Sequence, residues 1–389
     1  MRNKIFKLLI IVLAICTQSC QTELKDPSVE TINIGSKKNK AVEFTELFSS
    51  VQYIPLETTN SCLMGGVSQF SEFEGRFFIL DQKTKQVFAF NHDGKFLNKI
   101  GRQGKGPGEF LYPKQFVINE SKSLLYLYDS TQKKIIRYRL DGQFIDEIRV
   151  NAYMRAFALD EKDNILLGYV TDLPNMKFDT DINSEIIKFI KIDQQGKITN
   201  HIAGIESTSF RLEFSYIIQK ESDKSILFVE PLNGSIFNFD GNNISVRYKL
   251  NFGNRTAPDR LKKDLNIMEV PKNGKQVKFF EDALANYFLG FYRFLTNKDW
   301  LFLSYQHQRR FEYFFYNKSS HESIEISAEQ EDLGWNKFFM PLFMNENSIY
   351  AVTEPEKLLI KMNEPEKLAP SVSALRLGDN PVIIQYKLK

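Results

Sequence analysis

The residues with the most chemical potential in this 389-residue chain are few and scattered. Four histidines occur, His92, His201, His307 and His321. None stands at i, i+4 to another or in a His-x-x-Glu pattern, so the spacing that sets zinc ligands on one helix face is missing. The cysteines are Cys16, Cys20 and Cys62, which make no Cys-x-x-Cys pair and no Cys/His cluster. There is no Gly-x-Ser-x-Gly elbow to expose a serine nucleophile. The sequence therefore assigns no catalytic residue, no metal ligand and no cofactor. Its 48 Asp and Glu keep one alternative open, a carboxylate pair assembled by folding, as a hydrolase or lyase would use.

The segment Gly101-Arg102-Gln103-Gly104-Lys105-Gly106-Pro107-Gly108-Glu109-Phe110 superficially resembles a phosphate loop. Phosphate loops need a helix N-terminus after the glycines, to aim backbone N–H groups at the anion. Here Pro113 and a strand pattern follow. The close-set glycines read instead as a chain crossing pinned by Arg102 or Glu109, with a ligand-facing role as the second reading. His307 lies in the polar run Gln306-His307-Gln308-Arg309-Arg310 between two apolar segments. Arg102, Glu109, His307 and Arg309 are the ligand-binding candidates. Asp81 and Asp129 occupy equivalent strand ends, where Asp caps the following turn with its own side chain.

The elements that must position these residues come from a repeat. Residues 76–101 and 124–149 align without a gap at an offset of 48. Asp81 then matches Asp129, Lys85 matches Lys133, and Asp93-Gly94 matches Asp141-Gly142. Each copy reads as an apolar strand ending in Asp, an alternating strand, an Asp-Gly turn of the primed hairpin type and a third strand. Weaker copies follow at Ile165–Val170 with Ile186–Ile192, at Ile226–Val229 with Ser235–Phe239 and Ile244–Leu250, and at Trp300–Tyr305 with Phe311–Tyr316. A last set comprises Ser348–Thr353, Leu358–Met362 and Val382–Leu388. Three strands joined by tight turns and repeating at about 40–50 residues are the signature of a propeller blade. The expected fold is all-β, a six-bladed β-propeller.

Residues 255–292 break the pattern with helical spacing, as in Asp259–Leu265 and Phe279–Leu284. They form an expected helical insertion between blades four and five. Its aromatic cluster, Phe279, Phe280, Tyr287, Phe288, Phe291 and Tyr292, would pack on the rim or serve as a platform for a partner or glycan. Val51–Leu56 alternates and is expected to pair with Pro381–Leu388, closing the ring so that no strand edge is exposed.

The N-terminus carries Arg2, Lys4 and Lys7 and then the apolar run Leu8–Ile15, a pattern of export too short to span a bilayer. Ser19 precedes Cys20, and position −3 is Thr17. The segment 1–19 resembles a lipoprotein signal that leaves Cys20 acylated, with 20–40 a polar tether and 41–389 the propeller. Removing 1–19 takes away three positive charges, leaving 48 Lys and Arg against 48 Asp and Glu. That balance gives no basic surplus for nucleic acid. Cys62 is then a lone thiol, best placed as a small apolar side chain.

Three further phrases stand in order along the chain. Tyr53-Ile54-Pro55-Leu56-Glu57-Thr58 opens the domain, Ile100 to Phe110 follows the first blade, and Asp379-Asn380-Pro381-Val382 stands before the last strand. Together they resemble the six-bladed β-propeller lipoproteins, related to NHL-repeat propellers, that are abundant in Bacteroidetes. The resemblance implies the propeller fold and an envelope location, pointing to the outer membrane, and it brings no catalytic residues. Glu23 and Asp26 after Cys20 point weakly to surface export. The expected function is a monomeric, non-catalytic binding or scaffolding role, attached to the membrane through the lipid. Its ligand would be a protein, peptide or glycan.

Overall fold

The computed structural model describes residues 29–35, 42–150, 154, 156–160, 165–168, 187–203, 217–221, 225–229, 232–241, 243–267, 274–328, 332–361 and 370–389. The signal segment, Cys20 and the acidic pair Glu23 and Asp26 lie outside these residues. The described chain opens with strand β1 (Glu30–Asn33), helix α1 (Phe44–Leu47) and strand β2 (Phe48–Pro55). A first sheet follows, made of β3 (Gln69–Phe73), β4 (Arg76–Asp81), β5 (Gln86–Asn91) and β6 (Phe96–Ile100). Two short strands, β7 (Arg102–Gln103) and β8 (Glu109–Phe110), form a parallel ribbon. The second sheet has β9 (Pro113–Asn119), β10 (Leu124–Asp129), β11 (Lys134–Arg139) and β12 (Phe144–Arg149). The third has β13 (Ala156–Leu159), β14 (Ile165–Gly168), β15 (Ile187–Ile192) and β16 (Ile198–Ala203).

The fourth has β17 (Ile217–Lys220), β18 (Ile226–Val229), β19 (Ser235–Phe239) and β20 (Ile244–Asn251). Helices α2 (Asp259–Ile267) and α3 (Gly274–Asn286) then precede the fifth sheet, β21 (Phe291–Thr296), β22 (Trp300–His307), β23 (Arg310–Asn317) and β24 (Ser323–Ser327). The last sheet joins β25 (Pro341–Met344), β26 (Ser348–Thr353) and β27 (Val382–Leu388) to β2, with helices α4 (Pro355–Lys361) and α5 (Pro370–Ser373) between β26 and β27.

The first strands β3, β9, β13, β17, β21 and β25 touch one another in a closed cycle around an axis. Each sheet presents both faces to neighbours, and apolar clusters fill the seams between them. This is why β4 and β10 read as continuous buried runs, Phe77–Leu80 and Leu125–Tyr128, rather than alternating ones. The fold is a β-propeller. The ring closes as the terminal alternation predicts, since β2 pairs antiparallel with β27 from Phe48↔Leu388 to Pro55↔Val382. That pairing satisfies an edge that would otherwise be open.

Several expectations are corrected. Against the expected six blades, five sheets have the four strands of a blade, and the fourth sheet departs from that pattern with five. The extra strand is β1, which runs parallel to β20 in a segment read as tether. Ile32 and Ile34 alternate along it and are buried against β20 and the fifth sheet. Each such burial stabilises by about 1.5–3 kcal/mol, enough to dock a short polar segment. Of the expected strand Leu358–Met362, the described part Leu358–Lys361 is not a strand but belongs to helix α4, Pro355–Lys361. Proline at the first helical position and Glu356 in the first turn both favour that choice. Phe291 and Tyr292 belong to strand β21 rather than to the insertion.

The Asp-Gly hairpins are not primed turns, because Asp93 and Asp141 keep negative φ while Gly94 and Gly142 reach +77° and +90°. Each is a four-residue loop in which glycine alone takes the left-handed conformation. A Cβ on Gly94, Gly142 or Gly196 would come within 2.3, 2.6 or 2.5 Å of the carbonyl of Pro55, Lys99 or Arg149. Every one of those carbonyls lies on the outer strand of the preceding sheet. Glycine is therefore required by close packing between sheets as well as by φ.

Candidate functional site

The repeated Asp shows which loops share an end of the propeller. Asp129 is fully buried at the end of β10. Its carboxylate accepts hydrogen bonds from Thr131 N (2.8 Å) and Gln132 N (3.1 Å) in the following turn, and from Leu111 N (2.6 Å) and Tyr112 N (3.2 Å) in the connection before β9. Asp81 does the same, accepting from Lys83 N (2.8 Å), Thr84 Oγ1 (2.8 Å) and Gly65 N (2.6 Å). The turn between second and third strands is thus tied to the connection leading into each first strand. At this end lie the glycine-rich crossing 101–110, the 307–310 turn and the helical insertion.

In the crossing, Arg102 Nε donates to Glu109 Oε1 at 2.7 Å, and Gly106 N donates to Glu109 Oε2 at 2.8 Å. These donors, the Gly106 N–H first and the Arg102 guanidinium second, hold the Glu109 carboxyl below the usual carboxylate range. A Cβ on Gly104 would lie 2.0 Å from Glu109 Oε2, so glycine leaves room for that carboxylate. Gln132 Nε2 donates to the Glu109 carbonyl (3.1 Å), and Tyr138 OH donates to the Gly108 carbonyl (2.7 Å). Glu109 and Arg102 therefore pin the crossing, as the first of the two sequence readings expects.

His307 ends β22 and faces Arg310 across a two-residue turn. Gln308 and Arg309 both have positive φ, +49° and +65°, so this primed turn uses neither Gly nor Asn. Helix α3 holds it: Gln308 N donates to the Ala285 carbonyl (3.3 Å), and Arg309 Nη2 pairs with Glu281 Oε2 (3.3 Å). Below the turn, Arg255 Nη1 donates to Tyr305 OH (3.2 Å) and Nη2 to the Ile34 carbonyl (2.9 Å). Tyr305 OH donates to Glu325 Oε1, and Gly35 N to Glu325 Oε2 (2.8 Å). Burial pushes the Tyr305 phenol far up, reinforced by the Glu325 carboxylate. Burial, and secondarily the Arg255 cation, hold His307 below the usual imidazole range, with Glu325 opposing. His307 lies within the field of a charged group, Arg255 and Glu325 with Tyr305, that fastens the N-terminal segment to the fifth sheet.

The structure keeps the four sequence candidates apart. Arg102 and Glu109 form one pair between the first and second sheets, while His307 and Arg309 lie on the fifth. His92 is exposed beside Asp93, and His321 Nδ1 meets Glu30 Oε1 at 2.6 Å beside the Tyr316 hydroxyl. Cys62 is a buried free thiol in the seam between the last and first sheets. Sequence reasoning missed Arg255, Tyr305 and Glu325 as a group. A tyrosine set in the apolar run Leu301–Tyr305 was its available signal, since a buried phenol needs a partner.

The insertion has its own small core of Leu232, Ala257, Ala283 and Leu289. Phe252 and Phe288 stack with centroids 3.9 Å apart, and Tyr292 OH donates to Gln306 Oε1 (2.9 Å). Most of the aromatic cluster is thus spent on packing, while Val277 and Phe279 of α3 stay exposed. At the opposite end of the propeller a cleft of about 580 Å³ opens on the last sheet, lined by Ser50, Gln52, Asn347, Ser348, Gln385 and Lys387. Among the described residues, no group of three or more His, Cys, Asp or Glu is placed to hold a metal, and no helix is long and apolar enough to cross a membrane.

These features define a β-propeller with a helical insertion at the end where its turns and connections gather. Residues 29–387 match the family described as Domain of unknown function (DUF4934), and the chain belongs to that family. It is similar to the crystal structure of a protein of Bacteroides fragilis assigned as exported, at 17% identity and a TM-score of 0.74, over 93% of this chain and 99% of that one. A member of the DUF4221 family from Bacteroides vulgatus is also similar, at 13% identity and a TM-score of 0.53, over 88% of this chain and 98% of that one. Among curated proteins, none matches the chain.

Proposed function

We propose that this protein is an exported envelope lipoprotein, acylated at Cys20 and held at the outer membrane. Its propeller binds or scaffolds a protein, peptide or glycan and performs no catalysis. The five-stranded sheet serves as a blade beside the five four-stranded ones, and a monomer suffices because the ring pairs its own edge. One observation carries the reading: the polar groups at the insertion end are already spent on structure. Asp81, Asp129 and Glu109 are committed to backbone N–H groups, and Arg309 and Arg255 to acids. Among the residues the insertion turns outward, two are large and apolar, Val277 and Phe279, beside the charged Lys278, Glu281 and Asp282. Exposed apolar side chains rimmed by polar ones are the kind of surface that makes contacts. The similar protein of Bacteroides fragilis supports export, and the formal neutrality of residues 20–389 speaks against nucleic acid as partner.

The test is binding to arrayed glycans and peptides by the wild type and by a Val277→Asp/Phe279→Asp double variant. The expected result is a retained ligand whose affinity falls about tenfold or more in the variant, with the circular dichroism spectrum unchanged. Chemical turnover of the retained ligand, or equal binding by both proteins, would contradict the proposal.

A further inference from the structure

Arg293 sits on β21, the strand of the fifth sheet nearest the axis. Its Nη1 donates to the Tyr292 carbonyl at 2.9 Å, but its buried Nε has no acceptor, and no acid among the described residues pairs with it. Directly across the ladder stands Ser304 of β22, fully buried, whose Oγ also has no partner. Opposite residues of an antiparallel pair point to the same side, with Cβ atoms roughly 4.5–5.5 Å apart. Leu295 and Phe302 alternate onto that same side and pack in the cluster shared with Phe338 and with Ile349 and Tyr386 of the last sheet. Two orphaned donors, one of them a cation, therefore lie together in an otherwise apolar seam.

Such a pair calls for an acceptor, because a buried donor without one costs about 1–3 kcal/mol and more when charged. A water molecule could satisfy both donors but would leave the guanidinium charge uncompensated. A carboxylate answers both needs, taking the Nε–H and an Nη–H side by side and the serine hydroxyl as a third donor. We infer that Arg293 and Ser304 form a carboxylate-binding site in the seam between the fifth and last sheets, entered from the axial side where Arg293 remains partly exposed. Burial holds the guanidinium below its ordinary value, as expected for a cation that lacks its anion. The site is independent of the membrane anchor and of the insertion.

The experiment measures thermal unfolding of the full chain against sodium acetate at matched ionic strength, in wild type, Arg293→Met and Ser304→Ala. The expected result is a saturable rise in Tm for the wild type, weakened about tenfold in apparent affinity in Ser304→Ala and absent in Arg293→Met. If Arg293→Met does not fold, Arg293→Lys takes its place; it keeps the charge, loses the fork and is expected to bind more weakly. N-acetylalanine and galacturonate in parallel distinguish a peptide terminus from an acidic sugar as source, with N-acetylalanine amide as the uncharged control. A rise that is linear, that is equal in all variants, or that the amide reproduces overturns the inference.

Discussion

Asp129 shows how one side chain links two scales of order. Its two oxygens hold five donors, three in its own turn and two in the connection that starts the sheet. Asp129→Asn keeps the shape but turns an acceptor into a donor facing backbone N–H groups. It is expected to lower stability by about 2 kcal/mol, read as a shift of the urea midpoint with unchanged slope. His307 makes a second prediction at this scale. The folded state holds its pKa below the ordinary 6.5, so the unfolded chain takes up the proton first as pH falls. The neutral form then contributes stability above about pH 6.5, and that contribution is lost progressively as pH drops from there toward the folded pKa. His307→Gln should flatten the fall in Tm between neutral and mildly acidic pH, and an unchanged pH profile would count against it. Asp81 and Asp129 were legible as turn caps because the repeat equates them. The partners of Arg255 were not, since Ile34, Tyr305 and Glu325 lie far apart in sequence and meet only through packing.

At the scale of elements, the paired terminal strands and the two insertion helices were readable from alternation and helical spacing. Leu358–Met362 was misread because a short apolar run carries no period of its own, and the decisive signal lay just before it, at Pro355. Strand β1 was misread because its polar residues Glu30, Thr31 and Asn33 were weighed by composition. The spacing of Ile32 and Ile34 was the better guide. Ile34→Ala should cost about 2–5 kcal/mol, as for other buried aliphatic truncations, and would be seen in equilibrium denaturation. A flexible tether would show no loss. The glycines of the third-to-fourth strand hairpins teach a related lesson. Sequence showed where they turn, but only the neighbouring sheet's carbonyls explain why a side chain is excluded there.

At the scale of the whole molecule, stability is distributed among seams rather than stored in one core, as a ring of repeated sheets requires. Closure by β2 and β27 ties the two ends of the described chain together. Strand β1, docked beside β20, leaves only residues 20–28 between an acylated Cys20 and the folded body. Nine residues reach at most about 30 Å, so the anchor would keep the propeller close to the lipid surface. The most direct test of this envelope placement is metabolic labelling with an alkyne fatty acid, combined with membrane fractionation of wild type and Cys20→Ala. The expected result is a labelled wild type in the outer-membrane fraction and an unlabelled, soluble variant with the same unfolding transition. Equal fractionation of the two proteins without label in either would contradict it.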